Sequence, residues 1–157
     1  SWHEHSDPGV RFFSGTAVYS TTFKVPAGVC QPERRLILDL GKVAVIAEVK
    51  LNGKNLGILW KRPFRLDVTD AIKEGENVLE AAVVNLWVNR IIGDEQLPED
   101  PWPSGKLPDW FSEGGKPTPN GRYTRLFVSR LKKDAVLQES GLLGPVRIVA
   151  AQSVSVH

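Results

Sequence analysis

The chain has 157 residues with 20 basic and 18 acidic side chains, 41% hydrophobic residues and a net charge of +2. That length suits one domain, burying about two-thirds of its unfolded surface without covalent staples, and its mixed charges lack the one-sided basic footprint of a nucleic-acid binder. Cys30 stands alone, which excludes an internal disulfide and argues against a cysteine-based metal site, and no apolar run reaches the ~20 residues of a membrane helix.

A chain that opens at Ser1 with no methionine anywhere reads as a piece of a larger protein, any targeting signal having been removed. Strand-type alternation then dominates. In TAVYSTTFKV, Ala17, Tyr19, Thr21, Phe23 and Val25 share one face, and the run stops at Pro26-Ala27-Gly28. RRLILDL puts Leu36, Leu38 and Leu40 together, and VIAEVKL turns Val45, Ala47, Val49 and Leu51 inward. Asn52-Gly53 follows at once, a strong type I′ hairpin signal because both residues tolerate positive φ. KNLGILW is the return strand, and Phe64 to Asp67 is extended. Thr69 or Asp70 caps one helical turn through Ile72, which Gly75 ends.

Val78 to Trp87 is a further strand, with Leu79, Ala81, Val83, Asn85 and Trp87 on the core-facing row. Asn85 must then find hydrogen bonds inside the sandwich or at its rim. Strand patterning returns at Arg122 to Arg130 and at Val146 to Ala150, giving seven or eight strands and almost no helix. This spacing predicts an all-β fold, an antiparallel β-sandwich of jelly-roll type, spanning residues 1–157 as one domain. The basic cluster Arg125, Arg130, Lys132 and Lys133 reads as a solvated strand end.

From Asp94 to Asn120 the rhythm breaks. This stretch holds 6 of the 11 prolines, with Trp102, Trp110 and six acids against Lys106 and Lys116. Long stretches without periodicity are functional or linkers, and linkers are poor in tryptophan. The expectation is one long ordered loop covering an end of the sandwich.

Catalysis within the chain finds little support. Glycoside hydrolysis needs two facing carboxyl groups about 5 to 9.5 Å apart. Asp94 and Glu95 are neighbours whose side chains leave opposite faces of an extended chain, and no spacing selects a partner such as Glu113. His3, His5 and His157 sit at the chain ends, no Gly-x-Ser-x-Gly elbow is present, and the glycines are scattered at turns. Sugar binding asks for less: an exposed aromatic face and a few planar polar groups for vicinal hydroxyls. Asn89, Arg90, Asp94, Glu95, Trp102, Trp110 and Arg122 offer both, and Trp60 beside Lys61 and Arg62 is another platform. Burial is the ordinary alternative for any tryptophan.

FFSGTAVYSTTFKVP, the run from Leu38 through the Asn52-Gly53 hairpin to Pro98, and GLLGPVRIV together resemble the non-catalytic β-sandwich domains of large glycoside hydrolases. The similarity is to the galactose-binding-like domains of glycoside hydrolase family 2, and to the C-terminal domain of α-L-rhamnosidase-like family 106 enzymes. It implies a jelly roll without catalytic residues, secreted or periplasmic with its parent enzyme, whose partners are a glycan and the parent's catalytic domain. Neither nucleic acid nor membrane is implied. Some such modules hold a structural calcium through loop carboxylates; no tight acidic loop is recognisable here, and no cofactor is expected. The leading expectation is a bacterial accessory module that binds a glycan weakly or frames a neighbouring active site. A purely structural inter-domain module and a self-contained glycosidase are its rivals.

Overall fold

The computed structural model describes residues 1–98, 122, 124 and 131–151. The chain divides into two compact units. One comprises Ser1, Gly15–Asn85 and Ser140–His157; the other comprises Trp2–Ser14 and Leu86–Glu139.

The first unit is an antiparallel all-β sandwich built from β1 (Thr16–Val25), β2 (Arg35–Asp39), β3 (Lys42–Ala44), β4 (Ile46–Leu51), β5 (Lys54–Leu59), β6 (Arg65–Asp67), β7 (Gly75–Val84), β8 (Gly141–Gly144) and β9 (Arg147–Ala151). One sheet has the order β1-β7-β4-β5, a second β6-β2-β9, and β3 pairs with β8. The longest ladder joins β1 to β7 from Thr16↔Val84 to Val25↔Gly75. Alternation sorts the faces as expected: Ala47, Val49, Leu51, Leu79, Ala81 and Val83 are buried in the first sheet, Leu36 and Leu38 in the second. Removing each such aliphatic side chain from water contributes about 1.5–3 kcal/mol before ordering entropy is set against it. Leu36, Leu38 and Leu40, grouped by the sequence pattern, are all at or below 1% exposure.

Asn52 and Gly53 take φ of 53° and 79°, the type I′ signature, and close the β4–β5 hairpin. That turn is anchored by a buried asparagine. Asn77 is fully buried; its amide donates to the carbonyls of Lys73 (2.6 Å) and Gly75 (3.0 Å). Its Oδ1 accepts from Lys73 N–H (3.0 Å) and from Asn52 Nδ2 (2.8 Å). Asn52 in turn donates to the Ala71 carbonyl and accepts from Val78 N–H. The single helical turn at Val68–Ile72 forms as expected, but Asp67 caps it, accepting from Thr69 N–H and Oγ1.

Among its described residues the second unit contains a 3-10 turn (Trp2–Glu4) and two helices, α1 (Pro8–Arg11) and α2 (Val88–Asp94). Here the strand reading is corrected. β7 ends at Val84, and Trp87 is not core: it caps α2 in a helical conformation and is 66% exposed. The period-2 phase ends at Asn85, whose Oδ1 accepts the N–H of Gly15, and helical spacing replaces it. Asn89, Ile91, Ile92, Gly93 and Asp94 form the buried side of α2. Gly93 must be glycine, because a Cβ there would lie 2.5 Å from Cγ of Phe12. Of the strand expected at Arg122–Arg130, and of the long loop, residues 99–121, 123 and 125–130 lie outside the described residues.

Replacing Asn77 with alanine strands the Lys73 and Gly75 backbone groups and loosens the hairpin. We expect a loss of about 2–4 kcal/mol in urea unfolding; a loss below about 1 kcal/mol would show that the network is dispensable.

Candidate functional site

Five of the residues expected at the site gather on and beside α2. Arg90 and Asp94, one helical turn apart, pair through Nε (2.8 Å) and Nη2 of the guanidinium to Oδ1. Oδ2 of Asp94 accepts from Thr124 N–H (2.6 Å) and Thr124 Oγ1 (2.8 Å). Asp94 is 1% exposed, so this carboxylate is engaged on both oxygens and ties residue 124 to the helix. Glu95 accepts from Arg122 Nη1 (3.1 Å), while the rest of the Arg122 fork donates to the Leu97 carbonyl. Asn89 is buried and exchanges two hydrogen bonds with the Gln138 backbone, as a strand neighbour would.

These residues do converge, but largely on each other. Glu95 (33% exposed) and Arg90 (23%) offer the groups most open to solvent. Asp94 and Glu95 do not face one another across a gap: both are held by arginines. Trp60 belongs to the other unit and is 65% exposed, with the Lys61 ammonium 5.3 Å from its ring centroid. Trp102 and Trp110 lie outside the described residues. Among the described residues no three His, Cys, Asp or Glu side chains group to hold a metal ion, and no helix is long and apolar enough to cross a membrane.

A concave site that sequence reasoning missed lies in the first unit. A cavity of about 580 Å³ is lined by Asp39, Lys42, Arg62, Phe64, Arg65 and Gly144, with Gly41 and Pro63 completing it. Its wall is brought together by the end of β2, the start of β3, the β5–β6 connection and the end of β8. Leu40 N–H donates to the Phe64 carbonyl (2.9 Å), stitching the connection to β2. Asp39 accepts from Gly41 N–H (2.8 Å) and from Arg65 Nε (2.8 Å). The Gly41 hydrogen bond first, and the Arg65 guanidinium second, hold the Asp39 carboxyl below its usual range. The basic run Lys61-Arg62-Pro63-Phe64-Arg65 was a legible signal; its meeting with Asp39 and Gly144 across strands was not.

The glycosyl hydrolase 2 galactose-binding domain-like family model matches residues 6–125, which is most of the chain. The chain belongs to that family. A protein of Formosa agariphila provisionally named a beta-glucuronidase is 50% identical over 152 residues, covering 94% of this chain but 13% of its own length. The solved structure of a rhamnosidase from Novosphingobium sp. PP1Y aligns over 96% of this chain and 12% of its own, at 36% identity and a TM-score of 0.70. This galactose-binding-like domain thus spans about an eighth of the relatives it matches, and it is an accessory part rather than their catalytic part.

Two predictions follow from the carboxylates. Removing Asp94 as alanine takes away the carboxylate that binds Arg90 and both donors of Thr124, and we expect a loss of about 2–4 kcal/mol on urea unfolding; an unchanged midpoint would contradict it. The Asp39 and Asp67 carboxyls are both held below their ordinary unfolded value of 3.8, Asp67 through its hydrogen bonds from Thr69 Oγ1 and N–H. Their contribution is complete above that unfolded value and is lost as pH falls through the folded one. Stability measured in urea should drop below about pH 4, with a shallower acid limb in the Asp39→Asn, Asp67→Asn double variant. Superimposable acid limbs would contradict this.

Proposed function

We propose that the domain is a carbohydrate-binding module of a secreted or periplasmic bacterial glycoside hydrolase, holding a glycan weakly or framing a neighbouring active site. The observation that carries this reading is the match of nearly the whole chain to a small fraction of much longer glycosidases. Trp60 supports it as an exposed aromatic platform for the C–H face of a sugar; separately, in the other unit, Arg90 and Glu95 are polar groups partly open to solvent. Affinity is expected to be weak, because an open site leaves much of the sugar hydrated.

A second reading, a structural inter-domain module, is favoured by the outer face of the first sheet. The register aligns Val18, Ala82, Glu48 and Ile58 across it, and Thr16, Val84 and Ile46 in the next row. Val18 and Ile58 are more than 60% exposed. Such a face suits contact with another domain. Deleting the domain from its parent would then lower stability and leave substrate preference intact.

Affinity electrophoresis of the 157-residue chain through polysaccharide gels tests the first reading. Retardation should occur in at least one glycan, and Trp60→Ala should weaken it about fivefold, the value of one lost stacking contact. Unchanged mobility in every gel, with no binding at millimolar sugar, would remove the glycan-binding role.

A further inference from the structure

The cavity beside Asp39 carries a charge pattern that a neutral sugar does not require. Arg62, Arg65 and Lys42 line it, with Asp39 as the acid among its described lining residues, and Arg147 stands opposite Asp39 in the β2–β9 register. Asp39 engages Arg65 through Nε, and the two terminal amino groups of that guanidinium make no hydrogen bond to a described residue. Arg62 forms no ion pair with a described acid. Two guanidinium forks therefore retain donors for an incoming anion, and forks match the paired oxygens of a carboxylate or sulfate.

The floor is apolar and closely packed. Phe64 is buried, and its carbonyl is held by Leu40 N–H. Gly41 lies against Gly144 with no room for a side chain. The depression is open to solvent, and its volume of about 580 Å³ lies within the range of small-ligand sites. Because Asp39 is already satisfied by Gly41 N–H and Arg65, it orients a cation without cancelling the cluster.

We propose that this cavity is a binding site for an acidic glycan, one whose sugar bears a carboxylate or a sulfate ester, with Arg62 and Arg65 gripping the anionic group. The inference rests on the glycan-binding reading and narrows it to a class of ligand. Both guanidinium groups are solvent-accessible, so binding is salt-sensitive on the scale of the ~8 Å Debye length at physiological ionic strength.

The test is affinity electrophoresis and calorimetry on the 157-residue chain with three probes: polygalacturonate, a sulfated carrageenan and neutral galactan. The expected result is retardation by one or both anionic polymers and not by galactan. Arg62→Ala and Arg65→Ala should each weaken it about tenfold, as loss of a hydrogen bond to a charged group does. The double variant Lys132→Ala, Lys133→Ala removes charge from an exposed pair elsewhere and should change nothing, which separates a site from general attraction. Arg62→Lys, keeping the charge but not the fork, should recover binding only in part. Equal retardation by galactan, insensitive to Arg62 and Arg65, would overturn the acidic-glycan site and leave glycan binding standing. Retardation by anions that falls equally in the Lys132, Lys133 variant would overturn it as non-specific attraction. No retardation by any probe would overturn both readings. Circular dichroism of each variant establishes that a loss is not unfolding; should Arg65→Ala fail to fold, Arg62→Ala decides alone.

Discussion

At Gly41 the backbone passes so close to Gly144 that a methyl group would sit 2.4 Å from its carbonyl carbon and oxygen. The same residue adopts φ of 65°, a conformation that costs an L side chain about 1–3 kcal/mol. Its N–H, pointing back at Asp39, closes a tight turn that ends β2 and launches β3. From that contact the rest of the cation-lined end follows. Asp39 is held charged, Arg65 is aimed by it, and the β5–β6 connection is tied down through the Phe64 carbonyl.

Elsewhere the buried polar side chains act as ties on the backbone. Asn77 binds the turn before β7 and, through Asn52, the β4–β5 hairpin. Asn85 receives Gly15 N–H where β7 ends, and in the other unit Asn89 pairs with Gln138 and Asp94 with Thr124. The Asn77–Asn52, Asn85–Gly15, Asn89–Gln138 and Asp94–Thr124 contacts span 25 to 70 residues of sequence, and each satisfies groups whose burial without partners would cost about 1–3 kcal/mol. Polar residues whose composition suggests ligand contact thus serve, at Asn89 and Asp94, to close loops. Among the described residues, the guanidinium groups of Arg62 and Arg65 in the first unit keep donors that make no hydrogen bond.

The strands were legible because their chemistry is local. Period-2 alternation marked β1, β2, β4 and β7, and Asn52-Gly53 fixed the hairpin register. The strand was carried three residues too far, to Trp87, because Asn85 and Trp87 keep the period-2 phase of Leu79, Ala81 and Val83, and the helix that follows at Val88, Ile91 and Ile92 was not expected. Their i, i+3, i+4 spacing, with Arg90 and Asp94 one turn apart, is the signal that separates the two. Trp87 accordingly moves from an expected core position to the surface. The cavity was illegible for another reason: Asp39, Arg65 and Gly144 are far apart in sequence, and nothing local reports their meeting. Family resemblance pointed to the fold and the accessory role, and the match over residues 6–125 supports both.

The most direct test is a two-dimensional amide NMR titration of the 157-residue chain with glucuronate and, separately, with glucose. An acidic-sugar site predicts shifts at the amides of Gly41, Lys42, Phe64, Arg65 and Gly144 with glucuronate, saturating and lost at high salt, and none there with glucose. Equal shifts with both sugars, or glucuronate shifts confined to residues remote from that cavity, would contradict it.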